Sequence, residues 1–193
     1  LVGYTNAGKS TLFNFLSGAK VEAVDQLFAT LDPTMRAITL PGSGKKIILS
    51  DTVGFVSSLP TMLVASFKAT LEEVLEADLI LHVRDISHAD SKAQKEDVFS
   101  VLGDLGVAEG RLKSIVEVKN KIDLICEKQK VKFNHIDKES IYISAKTGEG
   151  CDDLLELIEN KLNLFQNVIE LKLSLVEGDI IAWLYRNGEI ISR

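Results

Sequence analysis

The sequence predicts an α/β fold built on a mostly parallel sheet, and three features indicate it. Short apolar runs rich in β-branched residues alternate with longer stretches of helical periodicity. Most of the short runs lack polar alternation, which is typical of strands covered on both faces. Two of the runs are joined by a turn-rich link at 41–44, which indicates a hairpin. We therefore expect a six-stranded sheet with one antiparallel edge strand, flanked by helices.

The individual strands and helices follow from composition and periodicity. Five predicted strands cover 36–40, 46–50, 79–83, 115–118 and 141–144. The sixth is represented only by Leu1 and Val2, because a glycine-rich loop begins at position 3. Apolar residues at helical spacing form three stripes that we expect to face the core: Leu63, Phe67, Leu71 and Val74; Val98, Val101, Leu102 and Leu105; Leu154, Ile158, Leu162 and Phe165.

The chain changes character near residue 165. We expect a main domain over 1–165 and a small α+β module over 166–193. The module is predicted to have strands at 168–173 and 189–192 around a helix at 179–185. Because a buried strand normally has about five residues, we also expect the main domain to lack part of its first strand and a natural amino-terminal region.

The composition fits a globular protein in water: of 193 residues, 46% are hydrophobic and 26% are charged. No apolar run approaches the roughly 20 residues of a membrane span, and no signal-peptide pattern opens the chain. Cys126 and Cys151 form neither a CxxC pair nor a metal spacing, so we expect a reduced, cytoplasmic setting. The net charge of −6 argues against strong non-specific nucleic-acid binding, which needs many Lys and Arg contacts to phosphate.

Residues 3–10 fit the phosphate-binding pattern Gly-x4-Gly-Lys-Ser. The glycines let the backbone curl so that successive N–H groups point at phosphate oxygens, and the helix predicted over 10–16 presents its positive end to the anion. Lys9 supplies positive charge to the outer phosphates, and the Ser10 hydroxyl is a candidate Mg²⁺ ligand. The residues expected to bind the phosphates are Thr5, Asn6, Ala7, Gly8, Lys9, Ser10 and Thr11.

A second motif, Asn120-Lys121-x-Asp123, follows a predicted strand and indicates which base is bound. The Asp123 carboxylate can accept hydrogen bonds from N1–H and the 2-amino group of guanine, whereas adenine offers neither donor. Asn120 can tie this loop to the phosphate loop, and the stem of Lys121 can lie across the ring.

A third motif, Ser144-Ala145-Lys146, follows the next predicted strand. The Ala145 N–H can donate to guanine O6, and Lys146 can pack on the other side of the base. Ligands of open α/β sheets bind at the carboxyl ends of the strands. Three motifs at three such ends, in this order, therefore predict a site for GTP or GDP.

Two regions are expected to respond to the terminal phosphate. Asp51 can hold Mg²⁺ through a water, and the Gly54 N–H can sense the terminal phosphate, so that hydrolysis releases this loop. The helix-poor stretch 19–33 lies where a mobile switch belongs. Either Thr30 or Thr34 can give a hydroxyl to Mg²⁺, and we favour Thr30, which makes the expected metal ligands Ser10, Thr30 and Asp51.

Phe55 follows Gly54 at the position where many GTPases place a glutamine that orients the attacking water. A phenyl ring cannot do this, so hydrolysis must depend on positioning and electrostatics from elsewhere. The amide oxygen of Asn6 can help bind a monovalent cation such as K⁺ across the phosphates, with a plain loop role as an equal alternative. Arg36 lies beside the switch and could act as an arginine finger in cis, but we favour a solvated or salt-bridged role for it. The expected catalytic residues are Lys9, Thr30, Gly54 and Asn6.

These motifs resemble the GTPase domain of the HflX family. Beyond the phosphate loop, which continues through 11–14, the resemblance is carried by the segments 27–34, 51–56 and 59–73. The run Thr-Leu-Asp-Pro at 30–33 and the Phe after Asp-Thr-Val-Gly separate this family from most other translation-related GTPases. The resemblance covers most of 1–165, and the tail resembles the family's small carboxyl-terminal domain more loosely.

The resemblance implies a Ras-like P-loop GTPase fold in a cytoplasmic protein, which we expect to be a monomer. It implies slow GTP hydrolysis with Mg²⁺, stimulated by the large ribosomal subunit, in ribosome splitting, rescue or assembly. It also implies that a missing amino-terminal region carries much of the ribosome contact. The family's asparagine at the place of Asn6 supports the K⁺ hypothesis, and a hydrophobic residue at the place of Phe55 is a family trait. Arg84 departs from the apolar residue that is usual there.

Three alternatives stay open from sequence. A GTP-dependent switch of another ribosome-assembly family, with negligible hydrolysis of its own, would lack the segment 30–33 together with Phe55. A P-loop ATPase or small-molecule kinase would need a base site without Asp123. An inert structural domain would not need an intact Lys9, Ser10 and Asp51.

Overall fold

A computed structural model of the chain describes residues 1–19, 34–55, 73–126, 140–164, 171 and 178–187. The chain divides into two compact units, Leu1–Asn163 and Leu164–Arg193. Several predicted features lie outside the described residues: Thr30 with its segment, the first three residues of the stripe that begins at Leu63, Phe165 of the third stripe, and, apart from residue 171, the two tail strands.

The first unit alternates helices and strands along the described chain. Its elements are α1 (Lys9–Ser17), β1 (Thr34–Thr39), β2 (Lys46–Asp51), β3 (Leu81–Asp85), α2 (Ser91–Asp104), α3 (Glu109–Lys113), β4 (Val116–Asn120), a 3-10 turn (Ile122–Leu124), β5 (Ser140–Tyr142) and α4 (Cys151–Asn163). The five strands expected after the phosphate loop are all present, and their ends lie within two residues of the predicted ends.

The described strands form a parallel sheet and an antiparallel hairpin. The parallel sheet has the order β3-β4-β5. The hairpin pairs β1 with β2 and places Thr34 opposite Asp51. Glu159 of α4 accepts hydrogen bonds from the backbone N–H groups of Gly42, at 3.2 Å, and Ser43, at 2.5 Å, and so holds the hairpin turn. The α/β class and the predicted hairpin are confirmed.

The first residues of the chain bridge these parts. Val2 forms a parallel bridge with His82 of β3, and Tyr4 forms one with Phe55, four residues beyond β2. The bonds include Val83 N–H to Val2 O at 2.8 Å and Thr5 N–H to Phe55 O at 2.8 Å. The phosphate loop therefore starts between β3 and the segment that follows β2. A single continuous six-stranded sheet stays a prediction.

Helices cover both faces of the parallel sheet. On one face, apolar side chains of β3 and β4 pack with Leu12 of α1 and with Leu154 and Ile158 of α4. On the other side, Val98 and Leu102 of α2 join a core cluster with residues of the amino-terminal segment. These contacts bear out the core-facing role predicted for the described parts of the second and third stripes. Cys151 is buried in the α4 core, and Cys126 is exposed.

The face of β3 and β4 under α2 is polar, which the sequence analysis did not predict. Arg84 pairs with Glu117, and Lys95 of α2 lies 2.7 Å from the other oxygen of Glu117. Arg84 also donates to the Ser91 backbone oxygen at 3.0 Å. Arg84 stands where an apolar residue is usual, and a partly buried ionic cluster accommodates its charge, because a charge removed from water requires a partner.

The second unit contains α5 (Gly178–Asn187), in agreement with the helix predicted at 179–185. Ile180 and Trp183 of α5 are exposed. In the described parts of the chain, no helix combines the length and the apolar character that a bilayer crossing requires.

Candidate nucleotide-binding site

The phosphate loop has the curled backbone that its glycines predicted. Gly8, directly before α1, has φ 93°, where a side chain is strained. A Cβ on Gly8 would also lie 2.2 Å from Nδ2 of Asn120. Asn6 and Lys121 are the non-glycine residues with positive φ in the described ranges, and both belong to predicted nucleotide loops. Such strain concentrates at functional sites.

Lys9 lies at the start of α1 and is 6% exposed. Its Nζ donates to the backbone oxygen of Tyr4 at 2.8 Å, across the curl of the loop. Burial lowers the pKa of the Lys9 ammonium to about 8, and Asp51 partly opposes this shift. A phosphate anion in the loop would favour the charged form, because an opposite charge nearby stabilises an ammonium.

The two predicted Mg²⁺ ligands that the structure describes are adjacent. The Ser10 hydroxyl donates to Oδ2 of Asp51 at 2.6 Å, joining α1 to the end of β2. Asp51 is 1% exposed. A hydroxyl and a carboxylate are hard oxygen donors of the kind that Mg²⁺ takes beside phosphate, so this pair fits the ion. Thr30 is not described, and Thr34 is the first residue of β1.

The segment after β2 lies against the phosphate loop. A Cβ on Gly54 would approach the Thr5 Cα to 2.8 Å, so only glycine fits at this contact. Phe55 is 2% exposed, and its ring belongs to the core cluster that contains Val2 and Tyr4. The ring therefore points into the core, consistent with the interpretation that Phe55 orients no water.

Asn120, the last residue of β4, joins two of the predicted loops. Its Nδ2 donates to the backbone oxygen of Ala7 at 2.8 Å, and its Oδ1 accepts from the Ala145 N–H at 2.9 Å. Asn120 is 2% exposed. The predicted tie between this loop and the phosphate loop is confirmed, and the second tie was not predicted. A guanine O6 beside Ala145 would compete with Asn120 for that N–H.

The predicted base-reading carboxylate is also fixed by a neighbouring loop. Asp123 lies in the 3-10 turn and accepts a hydrogen bond from the Ser144 hydroxyl at 2.7 Å. Ser144 is fully buried, whereas Asp123 is half-buried, so its carboxylate can still reach a ligand. Lys146, in the same loop as Ser144, is exposed.

Three further residues considered in the sequence analysis differ in their exposure to solvent. Thr11 is half-buried on α1, Asn6 is exposed at the tip of the loop, and Arg36 is exposed on β1. Sequence reasoning also missed the contacts of two other residues to the loops: Tyr4 Oη donates to Asp97 of α2 at 2.7 Å, and Asp85 forms an ion pair with Lys121. The position of Asp85 at the end of a strand was an available signal, because the other loops also begin at strand ends.

Comparison with known proteins decides the family. A family model described as a 50S ribosome-binding GTPase matches residues 1–121. The chain is 45% identical over 191 residues to the GTPase HflX of Magnetococcus marinus, covering 99% of this chain and 43% of that protein. The chain belongs to the HflX family of GTPases. It spans less than half the length of this HflX relative.

Solved structures of other GTP-binding proteins share the fold of this chain. A GTP-binding protein from Sulfolobus solfataricus, in complex with GDP, has a TM-score of 0.66 and 27% identity, covering 86% of this chain and 52% of that one. Era, in complex with MgGDPNP and nucleotides of 16S ribosomal RNA, has a TM-score of 0.65 and 26% identity, covering 89% of this chain and 57% of that one. The fold is therefore the Ras-like P-loop fold, and the family and these neighbours support guanine-nucleotide binding.

Proposed function

We propose that this chain is the nucleotide-binding core of a protein that hydrolyses GTP to GDP and phosphate while acting on the large ribosomal subunit. The observation that carries the nucleotide part is the position of Asn120, whose side chain joins the phosphate loop at Ala7 to the base loop at Ala145. A site with one preformed phosphate end and one preformed base end fits a nucleoside phosphate.

The base is guanine in this proposal. Asp123 is anchored by Ser144 yet half-buried, so its free acceptor positions can meet the N1–H and the 2-amino group. A direct test is competition for fluorescently labelled GDP. Unlabelled GTP should displace the label, and ATP should do so at least about 100-fold less well. Equal displacement by ATP would favour the ATPase or kinase alternative.

Magnesium is held at Ser10 and Asp51 in this proposal, with Thr30 as the ligand from the preceding switch. When bound, Mg²⁺ neutralises charge that develops on the phosphates. Lys9 places its ammonium on the outer phosphates, and the Gly54 N–H faces the terminal phosphate from a segment packed on the loop. These groups position the triphosphate for attack by water, with no contribution from the buried Phe55.

A monovalent cation completes the charge stabilisation. Asn6 supports this part of the proposal because it is exposed at the loop tip with φ 61°, where its amide oxygen is available. Turnover without ribosomes should be faster in K⁺ than in Na⁺ of equal ionic strength, and an Asn6→Ala variant should remove the difference. Equal turnover in both salts would refute the role of Asn6.

The ribosome part is supported by the family model, which is described as a 50S ribosome-binding GTPase. We place the protein in the cytoplasm, as a monomer with a six-stranded sheet. The test is GTP turnover by the full-length protein and by this chain, each with and without large subunits. We expect stimulation of the full-length protein and weaker stimulation of this chain. GTP binding without stimulated turnover would instead favour a switch of another ribosome-assembly family.

A further inference from the structure

The end of β3 contributes a carboxylate that belongs to none of the three loop motifs. Asp85 is the last residue of β3 and stands opposite Asn120 in the parallel pairing of β3 with β4. Its Oδ2 lies 2.7 Å from Nζ of Lys121, the residue that follows β4. The ion pair therefore joins the carboxyl ends of two neighbouring strands at the edge where the nucleotide loops meet.

Asp85 is fixed on its own side of this pair. Its Oδ1 accepts hydrogen bonds from the N–H of Ser87 at 2.9 Å and from the Ser87 hydroxyl at 2.5 Å. Burial acts to raise the pKa of the Asp85 carboxyl, but hydrogen bonds from Lys121 and Ser87 outweigh it and hold that pKa below its usual value. Both carboxylate oxygens therefore have partners, and the group stays ionised.

Lys121 is constrained from the backbone as well. It has φ 70° and ψ 37°, and it directly precedes the 3-10 turn that carries Asp123. The side chains of Lys121 and Asp85 are 29% and 15% exposed, so the pair is partly shielded from water. Holding a lysine side chain in one conformation costs up to about 2 kcal/mol of rotamer entropy. The ion pair offsets part of this cost before a ligand arrives.

We infer that Asp85 is a positioning residue for nucleotide binding, which holds the stem of Lys121 as one wall of the base slot. This inference rests on the proposed guanine site. Asp123 reads the edge of the base, whereas the Lys121 stem lies on the ring face and meets every purine alike. Asp85 therefore strengthens binding without changing the choice of base.

The test is a double-mutant cycle on GDP affinity in the 193-residue chain, using Asp85→Asn, Lys121→Gln and the pair together. Asn keeps the size of Asp and an acceptor for Ser87 but loses the charge. Asp85→Asn should weaken GDP binding by about three- to tenfold, the cost of ordering one long side chain. The double variant should bind no more weakly than Lys121→Gln, because the two residues act through one contact.

Glu117 provides a matched control for loss of an ion pair in the same sheet. It is a partly buried carboxylate on β4 that pairs with Arg84 and Lys95, away from the loops. Glu117→Gln should lower the thermal midpoint and leave the GDP Kd unchanged. An unchanged Kd for Asp85→Asn, or effects that simply add in the double variant, would overturn the inference. Tighter binding would overturn it too, because the pair would then be a latch that GDP must open.

A base-preference measurement separates this inference from the proposed function. If the chain prefers GDP to ADP and Asp85→Asn binds GDP as the parent does, the guanine site stands and the role of Asp85 falls. If Asp85→Asn weakens GDP and ADP by the same factor, the positioning role is supported. If the parent binds ADP as tightly as GDP, the guanine site falls and the inference falls with it.

Discussion

The phosphate end and the base end of the site are held in shape by different means. At the phosphate end, backbone conformation and backbone hydrogen bonds fix the loop: Gly8 adopts a positive φ, and the Thr5 N–H donates to Phe55 O at 2.8 Å. At the base end, side chains fix the loops through Asn120, Ser144 and Asp85. Phosphate is read by converging backbone N–H groups, whereas a base edge requires directed side-chain acceptors. Substitutions should therefore act through backbone shape at one end and through lost contacts at the other.

The largest expected effect is at the backbone-built end. Gly8→Ala should weaken GDP binding by about 100-fold or more. The alanine would be strained at positive φ, and its Cβ, 2.2 Å from Nδ2 of Asn120, would push that side chain out of place. Gly18→Ala is the matched control, since Gly18 also has a positive φ, 64°, but has no atom within 4 Å of an added Cβ. It should lose stability and keep its GDP affinity. Equal affinity losses would mean that strain alone explains the effect.

The next effect tests the side-chain-built end. Asn120→Ala leaves the Ala7 oxygen and the Ala145 N–H without their partner and should weaken GDP binding by roughly 10- to 50-fold. Thr11→Ala, a truncation at the phosphate end, should change the Kd by less than about threefold, because we expect that position to act through its N–H. Equilibrium titration with labelled GDP measures both. A Thr11 effect as large as that of Asn120 would remove the contrast between the ends.

A smaller effect concerns the charge at the phosphate end. Unliganded Lys9 has a pKa of about 8, and bound phosphate should raise that pKa, so binding takes up a proton above pH 8. GDP affinity should therefore fall by up to about tenfold per pH unit as pH rises past 8. Lys9→Arg stays charged across this range and should flatten the slope, whereas any titration of the base itself would persist in both proteins. The same slope in both would exclude Lys9 as its source.

The smallest effect on GDP binding is expected at the sheet face under α2, away from both ends, where a change should act on stability instead. His82 is 1% exposed and packs edge-on to Phe99 at 5.5 Å between ring centroids. Burial, and then the charges of Arg84, Lys95 and Lys9, lower the pKa of His82 to about 3. The unfolded chain binds a proton near pH 6.5, so His82 makes stability fall as pH decreases below 6.5, by up to about 1.4 kcal/mol per pH unit.

Thermal unfolding between pH 7.5 and 5 measures this effect. His82→Asn should unfold with a shallower dependence on pH than the parent chain. His88→Gln, a change at an exposed histidine, should retain the parent slope. If His82→Asn also retains the parent slope, the acid sensitivity comes from other groups.

Sequence reasoning predicted the elements of the site better than their contacts. The strands that end at Asp51, Asn120 and Tyr142 were predicted to within two residues, because β-branched runs and loop motifs mark them locally. Arg84 was noted only as a departure, because its partner Glu117 lies on another strand. The Ala145 N–H was assigned to the base, whereas the structure engages it with Asn120. The Arg84–Glu117 pair and the Ala145–Asn120 hydrogen bond both depend on which strands are neighbours in the sheet.

The sequence by itself determined the alternation of strands and helices, the curl of the phosphate loop and the set of side chains that suits a guanine nucleotide. These are local properties, encoded in glycine positions, hydrophobic period and motif spacing. Only the tertiary structure decided that Asn120 spans two loops, that Asp85 meets Lys121 and that Phe55 enters the core. Those contacts join residues distant in the chain. Parallel pairing brings the ends of β3, β4 and β5 to one edge, and the bridge between Tyr4 and Phe55 brings the segment after β2 to the phosphate loop.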